Sequence, residues 1–162
     1  MNKGELEQIV SRVVSEHLHP ADISEMTLKL ARRIAKRVEE KAMEMGVKPV
    51  VAISNTGARP VLVECTDDSY IASYDVALQK AYTVVALKMP TKTLKTLAQP
   101  GESLYGIQFT NQGQIVIFGG GVPLVYRGKI IGGLGVSGGS EEQDTALADF
   151  GASVLEEEIR CL

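Results

Sequence analysis

The stretch GGLGVSGGS, Gly132 to Ser140, constrains this chain more than any other. An apolar, β-branched run, KIIGGLGV, leads into it, and a helix-like segment follows. Gly133, Gly135 and Gly138 spell the G-x-G-x-x-G of a dinucleotide loop, whereas Gly135, Ser137 and Gly139 spell the G-x-S-x-G of a hydrolase elbow. The first reading needs a second parallel strand after the helix, with an acid for the ribose, and the residues up to Leu162 leave no place for one. The second needs a histidine base after the serine, but the chain's histidines, His17 and His19, lie far upstream. A Walker loop fails as well, because Ile130 follows Gly128-Lys129. The expectation is therefore structural: glycines along a strand admit close approach of a neighbour. Gly119, Gly120 and Gly121 form a second cluster one hairpin earlier. Together the clusters leave room on one sheet surface for a helix, another subunit or a flat ligand.

The remaining elements follow from periodicity. Leu6, Ile9, Val10, Val13 and Val14 repeat at helical spacing behind Asn2 and Glu5, a capping pair. HLHPAD breaks that helix. A longer helix is predicted from Asp22, paired with Glu25, to Gly46, with Met26, Leu30, Ile34, Val38 and Ala42 inward. VVAIS and PVLVEC read as a hairpin. A helix over Ser69–Lys88 is predicted to turn Ile71, Tyr74, Leu78, Ala81, Tyr82 and Val85 inward. After a short turn at TKTLKTL, four strand candidates follow: IQFT, QIVIF, PLVYR and KIIGGLGV. Ser140 and Gln143 make a capping box for a last helix reaching Arg160. Tight turns between consecutive strands imply antiparallel pairing, so the fold class is α+β, a central antiparallel sheet of about five strands with helices packed on it.

The formal charge of −3 gives no reason to expect a nucleic-acid partner, and no apolar run is long enough to span a membrane. MNKGELEQIV carries no signal-peptide core, which makes the cytoplasm the expected compartment. Cys65 and Cys161 are expected to be free thiols. Gly151 interrupts the last helix, where glycine costs about 1 kcal/mol against alanine, and close packing against another copy would account for it.

Three segments resemble the GlcG/HbpS-type haem-binding (haem-degrading) family, which includes the C-terminal domain of PduO-type cobalamin adenosyltransferases. They are KAYTVVALKMPTKTL, PGESLYGI and GGGVPLVYRGKIIGGLGVSGGSEEQDTALADFG, in the family's order and spacing. The resemblance implies a profilin-like sandwich over residues 22–162, preceded by an N-terminal helical extension over residues 1–21. It also implies homo-oligomers, haem as a possible cofactor, and cobalamin as the alternative through B12-dependent diol or glycerol pathways. Where the family often has an Arg-Met-Asp-Gly-like segment, this chain has ECTDDSYIAS.

His17 and His19 are the strongest iron ligands among the side chains, and the core of the family resemblance contains neither. They read as exposed residues at a helix end, as haem ligands, or as a His-x-His metal pair with no evident third ligand. Tyr70, Tyr74, Tyr82, Tyr105, Tyr126, Met89 and Cys65 are the fallback ligands. Arg33, Lys36 and Arg37, on the basic face of the Asp22–Gly46 helix, could meet haem propionates; the same face also reads as solvated and laced with Glu39, Glu40 and Glu44. Lys80 could meet a carboxylate, although solvent is the first expectation for it. No nucleophile, base and oxyanion set assembles, so an enzyme has little support. The expected function is a non-enzymatic haem (tetrapyrrole)-binding protein, a carrier or sensor. The alternatives are a corrinoid-related accessory protein of a B12-dependent pathway and an oligomeric interaction protein without cofactor.

Overall fold

A computed structural model describes Gly4 and residues 23–162. The elements are α1 (Leu28–Glu44), β1 (Val50–Ser54), β2 (Pro60–Cys65), α2 (Ile71–Ala86), α3 (Thr91–Leu97), β3 (Gly121–Tyr126), β4 (Lys129–Ser137), α4 (Glu141–Ser153) and α5 (Leu155–Arg160). The strands form one antiparallel sheet in the order β2-β1-β4-β3. The α+β class is as the sequence implies, but the sheet has four strands rather than about five.

The missing strand has a physical cause. IQFT winds into a 3-10 turn at Ile107–Phe109, and QIVIF packs as irregular chain with Ile115 and Val116 buried. A side chain of α2 takes part of its backbone: Val116 N donates to Thr83 Oγ1 at 3.0 Å, and the hydroxyl's own proton goes to Gln79 O at 2.7 Å. At Val116 a helix hydroxyl thus takes the place of a neighbouring strand's carbonyl.

Helices cover both faces of the sheet. On one, Leu30, Ile34, Val38 and Ala42 of α1, with Leu147 and Ala148 of α4 and Leu155 and Ile159 of α5, enclose Val51, Ile53, Leu134 and Val136. On the other, Ala77 and Ala81 of α2 lie on Val50 and Ala52. β4 alternates accordingly, with Leu134 and Val136 toward α1 and Gly133 and Gly135 toward α2. A Cβ on Gly135 would lie 2.1 Å from Ala77 O, and one on Gly133 would lie 2.5 Å from Ala81 O. The room left by this glycine run is thus filled by a helix of the same chain.

Several boundaries differ from the sequence reading. α1 starts at Leu28, capped by Thr27 Oγ1, which accepts from Leu30 N. Glu25 instead accepts from Thr56 N at 2.8 Å and from the Thr56 hydroxyl, tying the chain ahead of α1 to the β1–β2 turn. Asp22, the expected cap, and the helix predicted over Leu6–Val14 lie outside the described residues. α2 turns Ser73, Ala77, Lys80 and Val84 inward, while Ile71 is 95% exposed and Tyr74 is exposed. The last helix breaks at Val154 into α4 and α5, and the Ser140–Gln143 capping box forms as expected. A Cβ on Gly151 would lie 2.4 Å from Leu134 and 2.8 Å from Val38. Its close packing is within the chain and carries no argument for a subunit interface. No helix among the described residues is long and apolar enough to cross a membrane.

Candidate functional site

The two motif readings of the glycine run dissolve in the structure. Gly133 and Gly135 are two residues apart because β4 has a period of two, not because they cradle a phosphate. Ser137 is no exposed elbow: it is buried in β4, opposite Val50, and shares a 3.2 Å hydrogen bond with the Ser73 hydroxyl.

Of the occupants expected beside Gly119, Gly120 and Gly121, the structure places helices of this chain there. The glycines pass over the ends of α2, α3 and α4 so closely that a Cβ on Gly120 would lie 2.6 Å from Lys80 Nζ, and one on Gly121 would lie 2.8 Å from the Thr91 methyl. Gly119 N donates to Glu141, and Gly121 N donates to Thr91 Oγ1. The space beside these glycines is taken by this chain's own side chains.

At their centre lies Lys80, fully buried where the sequence reading expects solvent. Its ammonium donates to Val136 O at 2.7 Å and to Asp144 Oδ2 at 2.9 Å, and faces the Phe118 ring at 5.0 Å. Burial pushes its pKa down against the opposing pull of Asp144. Asp144 Oδ1 also accepts from Gly139 N, so one carboxylate joins α2, the exit of β4 and the start of α4. Nearby, Glu141 is held below the usual carboxylate range by Lys95 and by Gly119 N.

The basic face of α1 is largely committed. Arg33 Nε meets Glu158 at 2.7 Å, and Arg37 meets Glu158 at 2.7 Å and Glu157 at 3.1 Å. Lys36 makes a loose 4.0 Å contact with Glu40. Two of the three cations that the sequence offers to propionates therefore bind α5 instead. His17 and His19 lie outside the described residues. Of the fallback ligands, Tyr70, Tyr74, Tyr105 and Cys65 are exposed, Tyr82 and Met89 are half-buried, and Tyr126 is buried. No group of three or more His, Cys, Asp or Glu side chains gathers among the described residues. Cys65 and Cys161 are both free and exposed.

Among the surface clefts, two matter here. One of about 500 Å³ is lined by Lys48, Asp68, Tyr70 and the start of α4, but Ser140 and Gln143 already occupy the helix-end groups and Lys48 is paired with Asp68. The other, about 440 Å³, lies beside the β1–β2 turn and is lined by Thr56, Val85, Lys88, Gly128, Lys129 and Ile130. Its apolar floor and cationic lip suit a molecule with an apolar body and carboxylates, as haem is. Neither lysine reads as a ligand contact in the sequence; the RGK turn places Lys129 in one cleft with Lys88, forty-one positions earlier.

The comparisons agree with this architecture. The family described as "Haem degrading protein HbpS-like" matches residues 26–153. An uncharacterized 15.0 kDa protein of the dhaT–dhaS intergenic region of Citrobacter freundii is 46% identical over 127 residues, 78% of this chain and 89% of that one. The corrinoid adenosyltransferase PduO of Salmonella typhimurium is 39% identical over 123 residues, 76% of this chain, which spans 37% of the enzyme's length. A solved PduOC–haem complex is 35% identical with a TM-score of 0.77, covering 80% of this chain and 94% of that one. The matched residues take in both glycine clusters, the Lys80–Asp144 pair and the cleft at Val85 and Ile130, and the chain belongs to the HbpS-like haem-degrading protein family.

Proposed function

We propose that this protein binds haem without turning it over, as a carrier or sensor. The observation that carries this reading is its 35% identity, across 80% of its length, to a chain solved in complex with haem. Two features of the chain support the non-enzymatic part. Ser137, the residue singled out by a hydrolase motif, is engaged by Ser73, and the buried Lys80 is bound to Asp144 and Val136. Bound haem would supply an iron that an imidazole could hold. His17 or His19 fills it in this reading. Association into homo-oligomers belongs to the same proposal and is supported by Tyr70, Ile71 and Tyr74, which expose apolar surface where α2 begins.

Titration of the full chain with hemin, followed at the Soret band, tests this. Saturable binding with a spectrum that shifts when His17 and His19 are both replaced by Ala is the expected result. Binding with an unchanged spectrum moves the ligand into the core, and no saturable binding removes the haem reading. A second reading, an accessory protein for corrinoids, is favoured by the 39% identity to PduO. Cobalamin titrated in parallel separates the two.

A further inference from the structure

The cleft beside the β1–β2 turn has two backbone features that local stability alone does not favour. α2 ends at Ala86 with Leu87 as its cap, and the next residue, Lys88, takes a φ of 54°. Helices favour glycine at that position, because a Cβ there crowds the backbone. Across the cleft, β3 and β4 are joined by Arg127-Gly128, with φ values of 49° and 75°. Asn, Asp or Gly is usual at the first position of such a two-residue turn. Lys129 follows directly. Strain that the rest of a fold sustains tends to gather at functional sites.

Between these two corners lie Val85 and Ile130, with Thr56 at one side. No salt bridge among the described residues engages Lys88 or Lys129. Glu25, which bonds Thr56 at the side of the cleft, also accepts from Met26 N. Among the described residues the cleft therefore presents apolar surface and two cations with no ion-pair partner.

The chain also enters the fold here. Glu25 holds the β1–β2 turn, and Met26 N donates to Ile131 O at 2.9 Å, next to Ile130. His19 precedes Glu25 by six residues in the sequence, and six residues span at most about 20 Å.

We propose that this cleft receives the carboxylate edge of a tetrapyrrole, with the ring edge on Val85 and Ile130 and the carboxylates on Lys88 and Lys129. The assignment rests on the haem reading above and replaces Arg33 and Arg37, which α5 already neutralises.

The test uses the full chain, hemin, and hemin dimethyl ester, which lacks free carboxylates. The variant Lys88→Gly/Lys129→Gln should bind hemin about tenfold more weakly, with the Soret maximum unmoved because the axial ligand is retained. The ester should bind wild type as weakly as hemin binds the variant, and should not distinguish the two proteins. Lys88→Gly alone should raise the melting temperature of the ligand-free protein, so weaker binding cannot be laid to unfolding. Saturable hemin binding of equal affinity in wild type and double variant overturns the assignment and leaves the haem reading standing. Failure of wild type to bind hemin at all removes the haem reading, and the assignment with it.

Discussion

The Lys80 ammonium and the Asp144 carboxylate meet at 2.9 Å with side-chain exposures of 0% and 6%, joining α2 to α4. Each group has a further partner, Val136 O for the lysine and Gly139 N for the aspartate. Removing one member of such a buried pair strands the other, which typically costs about 3–5 kcal/mol. Lys80→Met and Asp144→Ala should each lower the urea midpoint accordingly. The double variant should lose less than the sum, because neither charge is then left alone. Additive losses would mean the two groups do not depend on each other.

The same lysine gives the protein a pH signature. Burial holds its folded pKa below the ordinary 10.5, so the unfolded chain binds the proton more tightly. Stability then rises as pH climbs through the window between the folded value and 10.5, where the unfolded state carries the extra proton. Lys80→Met should flatten that rise in urea melts followed up to pH 10.5. An equal rise in the variant would assign it to other groups.

Glu39 of α1 and Glu64 of β2 form the opposite case. Burial first, then the charge of Glu64 and a shared hydrogen bond, raise the Glu39 pKa above its ordinary 4.5. The folded state holds this proton more tightly, so the contribution is full below pH 4.5 and is lost as pH rises through the raised value. Glu39→Gln should therefore raise the melting temperature at neutral pH and leave it nearly unchanged at about pH 4. A gain of equal size at both values would point to packing rather than charge.

Two glycines separate the packing role from mere flexibility. Gly135→Ala would press a methyl group against Ala77 O and Ala81 N, backbone atoms of α2 that have no room to withdraw. Overpacking of this kind costs at least about 1–3 kcal/mol, and the variant should be poorly soluble or unfolded. Gly57, whose nearest neighbour is Asn55 Oδ1 at 3.4 Å, should accept Ala with little change. Equal melting temperatures for the two variants would remove the close-approach argument.

Those glycines also show where sequence reasoning succeeded and where it stopped. The capping box, the glycine end of α1 at Gly46 and the β1–β2 and β3–β4 hairpins are local, and local chemistry announces them. The inward face of α2 is not local. Of its hydrophobic stripe Ala81 and Val85 are buried as expected, but Ile71 and Tyr74 reach the surface, because Gly133 and Gly135 ask for a face of small residues, Ala77 and Ala81. Lys80 is hidden for the same reason: a lysine reads as solvated until its partner, sixty-four residues later, is brought against it. QIVIF has the composition of a strand, and only the position of Thr83 reveals that Val116 N is met by a helix hydroxyl. The cleft shared by Lys88 and Lys129 is assembled by a helix end and a hairpin turn, neither of which marks a site alone.

The β1–β2 turn permits one stabilising change close to that cleft. Asn55 Oδ1 accepts from Gly57 N and Arg59 N, while Ala58 N donates to Asn55 O, so the turn is fixed by Asn55. Within it Ala58 takes a φ of 57°, whereas the glycine beside it, Gly57, is not in the left-handed region. An alanine there bears a cost of about 1–2 kcal/mol that glycine avoids, offset in part by glycine's greater freedom in the unfolded chain. Ala58→Gly should therefore stabilise by about 0.5–1 kcal/mol, read as a rise of a few degrees in melting temperature. Because Ala58 does not line the Lys88–Lys129 cleft, the variant should bind hemin as wild type does. A fall in melting temperature would show that the turn relaxes out of the left-handed conformation in solution.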